Sequence, residues 1–172
     1  RYALMLGEDG MVKDDGIICK ISDEHFIATT TTGGAATVLG CMEEYAQTEW
    51  PNLNVYMNSI TEQYATFNIS GPKTRNIIEK VFPEVNFSNE AFPFMTFQFH
   101  EYEDTPIRIL RASFTGEMGY EIYVPSNQAL KIWEKIISFG KEFGLMPYGT
   151  ETMHLLRAEK GYIIVGQDTD GS

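Results

Sequence analysis

Two acidic segments are where this sequence could do chemistry. Asp14-Asp15-Gly16 places adjacent carboxylates before a glycine and beside apolar residues. On an extended strand, neighbouring side chains point to opposite faces, so at most one of the pair can look into a pocket. The same residues also read as a solvated turn. Ser113-Phe114-Thr115-Gly116-Glu117-Met118-Gly119-Tyr120-Glu121 repeats the combination of acid and glycine. Gly116 to Gly119 would turn the chain, and Tyr120 to Val124 would form the outgoing strand. Glu121 then stands in an otherwise apolar and aromatic strand, where a carboxylate must find hydrogen-bond donors or water. Surface exposure meets that need, and so does a ligand.

Other reactive side chains point to less. His25, His100 and His154 lie far apart and in no paired ligand pattern, and a zinc site needs three or four converging ligands. The sequence therefore predicts no metal site. It contains no nucleophile elbow, P-loop or complete dinucleotide fingerprint. Gly33-Gly34 could bring a helix N-terminus to an anion, but a glycine pair by itself reads as a tight turn into a helix. Arg157 and Glu159 are two residues apart, so they do not face each other on a helix. They read as structural residues at a helix end, each pairing elsewhere.

The formal charge of −11, with 13 basic residues scattered among 24 acidic ones, argues against a nucleic-acid surface, which needs clustered Lys and Arg. An acidic surface does not steer anions inward either, so an anionic substrate must be held by a local site or by further parts of the protein. Cys19 and Cys41 form no close pair and read as reduced thiols of a cytoplasmic protein. The apolar runs are too short for a bilayer-spanning helix. A hydrophobic share of 43% and a charged share of 22% over 172 residues suit a soluble globular domain. The chain opens on Arg1 and reads as a piece of something longer.

The elements that must position these residues follow from periodicity. Gly7 to Gly10 is a hairpin turn between two apolar stretches. Thr29 to Thr32 leads through Gly33-Gly34 into a helix marked by Ala35, Val38, Leu39, Met42 and Tyr45, with Thr31 or Thr32 as its N-cap. Tyr64 to Ile69 alternates as a half-buried strand. Pro72 suits the first position of a helix whose apolar face is Ile77, Ile78, Val81 and Phe82. Phe94 to Val124 holds two or three strands, broken near Asp104-Thr105-Pro106. Ser126 caps a helix striped by Ala129, Ile132, Trp133, Ile136, Ile137 and Gly140, and a last helix runs from about Gly149 to Glu159, ended by Gly161. Strand pairs interrupted by single helices predict an α+β fold, with helices packed on a mostly antiparallel sheet, as one domain over 1–172.

Four of these segments, in this order, resemble the glycine-cleavage T-protein, or aminomethyltransferase, superfamily. Gly10 to Asp15 is similar to its glycine turn and two aspartates, and Gly71-Pro72 to its helix start. Phe114 to Glu121 is similar to Tyr-Thr-Gly-Glu-x-Gly-Tyr-Glu, and Leu156 to Gly161 to Leu-Arg-x-Glu-x-Gly. Within the superfamily the chain resembles the C-terminal, folate-binding part of sarcosine oxidase α subunits, in Thr29 to Gly40, Gln47 to Pro51, Asn89 to Met95 and Pro147 to Gly171. The folate module of that family extends further at both ends.

The resemblance implies an aminomethyltransferase-like fold and a set of roles. Asp15, the second aspartate, lies beside the reacting folate nitrogen as the catalytic group. Glu121 holds the pterin, Phe114 packs beside it where the family often has Tyr, and Tyr120 and Thr31 complete the folate-binding candidates. Thr31 stands where the T-protein has a folate-contacting Asn, and Met153 where it has an Arg. Both departures favour an oxidase relative over an aminomethyltransferase. The implied reaction is oxidative demethylation of sarcosine to glycine, with capture of the sarcosine-derived iminium carbon by tetrahydrofolate as 5,10-methylenetetrahydrofolate. FAD or FMN and NAD are then expected on other segments or subunits of a hetero-oligomeric oxidase, and the isolated chain is expected to be inactive. The alternatives are a glycine-cleavage-type aminomethyltransferase and a non-catalytic folate-binding regulatory protein. The presence of Asp15 counts against the latter.

Overall fold

The computed structural model describes residues 1–169, so the end of the stretch from Pro147 to Gly171 lies outside the described residues. The chain divides into two compact units, Arg1–Thr61 with the segment from Ile163 onward, and Glu62–Tyr162. The expected α+β architecture with antiparallel sheets and packed helices is what forms. Among the described residues no helix is long and apolar enough to cross a membrane.

In the first unit, β1 (Tyr2–Leu6), β2 (Val12–Lys20) and β3 (Phe26–Ala28) make a three-stranded antiparallel sheet in the order β1-β2-β3. The hairpin turn falls at Gly7 to Gly10, where Gly10 takes φ +79° and its N–H donates to the Gly7 carbonyl at 2.9 Å. α1 spans Ala35–Thr48. The predicted N-cap is displaced: Gly34 occupies that position and makes no side-chain cap. The Thr31 hydroxyl nevertheless accepts the Gly34 N–H at 3.2 Å, because the turn over 32–34 folds back on it. Beyond the helix, Trp50 stacks on Tyr45 with ring centroids 5.5 Å apart.

In the second unit, β4 (Tyr64–Ser70), β5 (Phe97–Tyr102), β6 (Thr105–Leu110) and β7 (Gly119–Pro125) form a four-stranded sheet in the order β4-β7-β6-β5, antiparallel throughout. Strand alternation sends Ile69, Ile107, Ile109, Tyr120, Ile122 and Val124 to one face. That face packs with Ile77, Ile78 and Val81 of α2 (Thr74–Val81) and Ile132 and Ile136 of α3 (Ala129–Gly140) in one core. Ile78 and Val81 are wholly buried, and each such aliphatic side chain contributes about 1.5–3 kcal/mol of burial free energy. Trp133 of α3 lies against Phe67, with centroids 5.8 Å apart. The last helix, α4 (Thr150–Lys160), ends on Gly161 at φ +85°, as expected.

Three boundaries differ from the sequence reading. Pro72 sits in the turn before α2, whose N-terminal cap position is Lys73. Ser126 does not cap α3: its hydroxyl donates to the Glu62 carbonyl at 2.8 Å, and a short 3₁₀ turn over Ser126–Gln128 precedes the helix. The break between β5 and β6 falls at Glu103 and Asp104, both left-handed at φ +48° and +60°, so Thr105 and Pro106 belong to β6. Pro106 pairs with Glu101 of β5 but lies beyond the β7 ladder, which begins at Arg108. Its missing N–H therefore costs that side nothing.

Candidate functional site

The two adjacent aspartates of β2 are separated by the pleat. Asp14 is buried at 2% exposure and fully engaged. Its Oδ1 accepts the Thr31 N–H at 3.0 Å and the Asp15 N–H at 2.7 Å, and its Oδ2 accepts the Thr31 hydroxyl at 3.0 Å. The loop closes so tightly that a Cβ on Gly34 would fall 1.7 Å from Asp14 Oδ2. A Cβ on Gly16 would fall 1.7 Å from the Thr29 carbonyl oxygen. Asp14, Gly16, Thr31 and Gly34 thus form one interlocked anchor that holds the segment before α1 against β2.

Asp15 points to the other face of the sheet and is left half-buried. Its Oδ2 accepts the Tyr2 hydroxyl at 2.7 Å. Tyr2 opposes Ile17 across the β1–β2 ladder, so it reaches Asp15 diagonally on the shared face. Burial, followed by the hydrogen bond and charge of Asp15, pushes the Tyr2 phenol from 10.0 to about 12. Sequence reasoning missed Tyr2. The signal was the hairpin, whose turn sets which β1 residues share a face with Asp15.

In the second unit the face of the sheet away from the core carries the polar and aromatic groups. Glu121 pairs in register with Asn68 of β4 on one side and Leu110 of β6 on the other. The Tyr123 hydroxyl donates to Glu121 Oε2 at 2.5 Å. Burial pushes the Glu121 carboxyl above its ordinary value, and hydrogen bonds with Tyr123 and Asn68 oppose part of that rise. Arg108, opposite Tyr123 in register, places its guanidinium 4.3 Å from the Tyr64 ring centre and 5.4 Å from that of Phe99. This is a sheet face of charged and aromatic side chains beside a half-buried carboxylate. Asn68 and Tyr123 were absent from the sequence-derived candidates: cross-strand pairing brings Asn68 to Glu121, whereas Tyr123, two residues further along β7, shares its face by strand alternation, a signal the sequence did carry.

Tyr120 alternates to the opposite face. It is wholly buried, edge-on to Phe87 and Phe92 at 5.4 and 5.7 Å, and its hydroxyl has no hydrogen-bond partner among the described residues. Phe114 lies in the loop between β6 and β7 with its ring parallel to Tyr162, at 6.5 Å and 15°. Thr31 is committed to Asp14 and Gly34, and Met153 is half-buried on α4. Arg157 donates from Nη1 to the Tyr162 carbonyl at 3.0 Å, closing the end of its own helix. The structure therefore joins Asp14 with Thr31, Asp15 with Tyr2, and Glu121 with Tyr123, each within its own unit.

Comparison with known proteins bears out the resemblance. The GCVT N-terminal domain family matches residues 1–172. Sarcosine oxidase subunit alpha of Corynebacterium sp. (strain P-1) is 51% identical over 173 residues, covering 100% of this chain and 18% of that protein. Its counterpart from Rhizobium meliloti (strain 1021) is 41% identical, covering 95% of this chain and 17% of the relative. An aminomethyltransferase of Thermoanaerobacter pseudethanolicus is 31% identical, covering 97% and 44%. The crystal structure of glycine cleavage system aminomethyltransferase T from Bartonella henselae superposes with a TM-score of 0.75 at 23% identity, covering 98% of this chain and 42% of that one, which establishes the likeness of fold. The chain thus spans less than a fifth of the oxidase subunits it matches, and it belongs to the GCVT N-terminal domain family.

Proposed function

We propose that this chain is the tetrahydrofolate-holding part of a sarcosine oxidase α subunit, acting in the oxidative demethylation of sarcosine to glycine with delivery of the one-carbon unit as 5,10-methylenetetrahydrofolate. The observation that carries the reading is Glu121: a desolvated carboxylate, fixed by Tyr123, on an aromatic-lined sheet face. The identity of 51% to an oxidase subunit, against 31% to an aminomethyltransferase, favours the oxidase over the transferase.

The residues fit a reduced pterin. Its pyrimidine edge presents adjacent N–H donors, and a carboxylate accepts two parallel hydrogen bonds from such an edge. Tyr123 and Asn68 each occupy an acceptor position on Glu121, and two carboxylate oxygens offer about four such positions. Burial in low dielectric strengthens the remaining bonds. The bound folate supplies a nucleophilic nitrogen to the one-carbon unit. Asp15 is the group we assign to the reacting centre, where a carboxylate stabilises a cationic carbon and accepts or positions a proton. Tyr2 fixes its orientation. Asp14, Thr31 and Gly34 keep the strand in place, and Tyr120 anchors β7 from the core side. Flavin and dinucleotide belong, in this reading, to other segments or subunits.

Calorimetry with tetrahydrofolate on the full-length oxidase tests this. Glu121→Ala should weaken binding by more than about tenfold, the loss of a charge-assisted pair. Asp15→Asn should leave affinity intact and slow formation of the methylene product by about a hundredfold. Equal affinity of wild type and Glu121→Ala would refute the assignment.

A further inference from the structure

The stretch from Pro51 to Thr61 holds no Asp, Glu, Lys or Arg, although charged residues make up 22% of the chain. Within it, Leu53, Val55 and Met57 alternate with Asn54, Tyr56 and Asn58. That is the period of a strand with one apolar face. Yet Asn54 to Ile60 form no helix, turn or strand, and none of them takes a positive φ. No backbone N–H or C=O from Asn54 to Ile60 has a hydrogen-bond partner among the described residues. The side chains are equally bare: Leu53 is 59% exposed, Val55 53% and Tyr56 92%. Folded proteins blunt such an edge with charge, proline or a bulge, because an unpaired apolar strand recruits another. Here Pro51 only precedes it.

The rest of the first unit is short of cover in the same way. Among its described apolar side chains, only Cys19 and Val38 are buried, and the hydrophobic core lies wholly in the second unit. Tyr2, Leu4 and Leu6 of β1 stand exposed on one face. So little burial does not offset the entropy of ordering a unit of this size.

We propose that residues 53–58 are the acceptor edge for a β-strand supplied by the part of the α subunit outside these 172 residues, with Leu53, Val55 and Met57 on the side that becomes buried. Backbone hydrogen bonds hold the added strand, and the alternating apolar side chains fix its register. This chain spans less than a fifth of the oxidase subunits it matches, so most of such a subunit is left to supply the strand. A unit without a core of its own is completed by chain that folds with it, rather than by a second copy whose contact depends on concentration. The inference rests on reading this chain as part of a larger subunit, and not on folate.

Hydrogen exchange of the full-length oxidase, read by mass spectrometry without tetrahydrofolate, tests it. Amides over residues 53–58 should exchange at least about a hundredfold more slowly than in a free peptide of that sequence. Val55→Lys should return them to fast exchange, whereas Asn54→Lys, on the outward side, should leave them slow, with β4 to β7 protected in both. A loop has no inward side, so an equal response of the two variants would overturn the strand. Free-peptide rates in wild type would overturn it too. So would protection that disappears on dilution, which would give the donor strand to a second copy. Slow exchange here in an oxidase that fails to bind tetrahydrofolate would sink the folate reading and leave this one standing.

Discussion

Asp14 and Asp15 show how neighbouring residues of one type are given different tasks by the pleat. Asp14 spends its acceptor positions on Thr31 and on the Asp15 amide, whereas Asp15 has, among the described residues, a single side-chain partner, Tyr2. That partnership has an alkaline signature. The folded Tyr2 phenol is raised from 10.0 to about 12, so the stabilisation from its hydrogen bond is complete below pH 10 and is lost as pH rises through about 12. A spectrophotometric difference titration, wild type minus Tyr2→Phe, should show one phenol ionising near 12, and Asp15→Asn should bring that ionisation down. A phenol at its ordinary value in wild type would show the bond is not formed. Glu121 shows the effect of burial on a carboxyl. Its folded carboxyl is raised above 4.5 by burial, so its contribution to stability is present below the unfolded value and is withdrawn as pH rises through the folded one. Glu121→Gln should therefore gain stability over wild type as pH rises past that window. A ligand that donates hydrogen bonds needs the ionised form, so tetrahydrofolate affinity should rise across the same window with release of a proton. Calorimetry in buffers of different ionisation heat would detect it, and a flat affinity profile would count against Glu121 as the acceptor.

At the scale of elements, the approach of β2 to the segment before α1 depends on glycine at two positions. Gly34→Ala would drive Asp14 from its place. Leaving that buried carboxylate and the Thr31 amide unsatisfied should cost about 3 kcal/mol. Gly33→Ala, where a Cβ meets nothing within 4 Å, should stay within about 0.5 kcal/mol. Denaturant unfolding of the two variants compares them directly; equal stability would dissolve the anchor. Much of this architecture was legible in the sequence, because burial follows period. The Ile77, Ile78, Val81, Phe82 face is buried as read, and Ile132, Ile136 and Gly140 of α3 lie in the core. Caps were less legible. Thr31, Pro72 and Ser126 are good helix starters by type, yet each is claimed by a turn or by a distant carbonyl. Of the candidate site, the acids could be found along the chain. Their partners Tyr2 and Asn68 could not, because register across a sheet chooses them, whereas Tyr123, two residues from Glu121 on one strand, was legible from alternation alone. Gly34 could be seen only as a turn glycine, whereas its contact with Asp14 is set by tertiary closure.

For the whole molecule, an acidic surface and a charge of −11 leave recognition of an anionic folate to local groups, since the overall field is repulsive. Affinity should accordingly depend on specific donors and acceptors more than on net charge. The pure chain of 172 residues should give no hydrogen peroxide from sarcosine, whereas the full-length oxidase should; turnover by the chain alone would overturn the division of labour proposed above. The two tryptophans of the sequence are shared out one to each compact unit, Trp50 stacked on Tyr45 in the first and Trp133 against Phe67 in the second. The molecule thereby carries a separate optical reporter in each half. With Trp133→Phe only the first unit emits as tryptophan, and with Trp50→Phe only the second, so two fluorescence melts can time the loss of each unit independently.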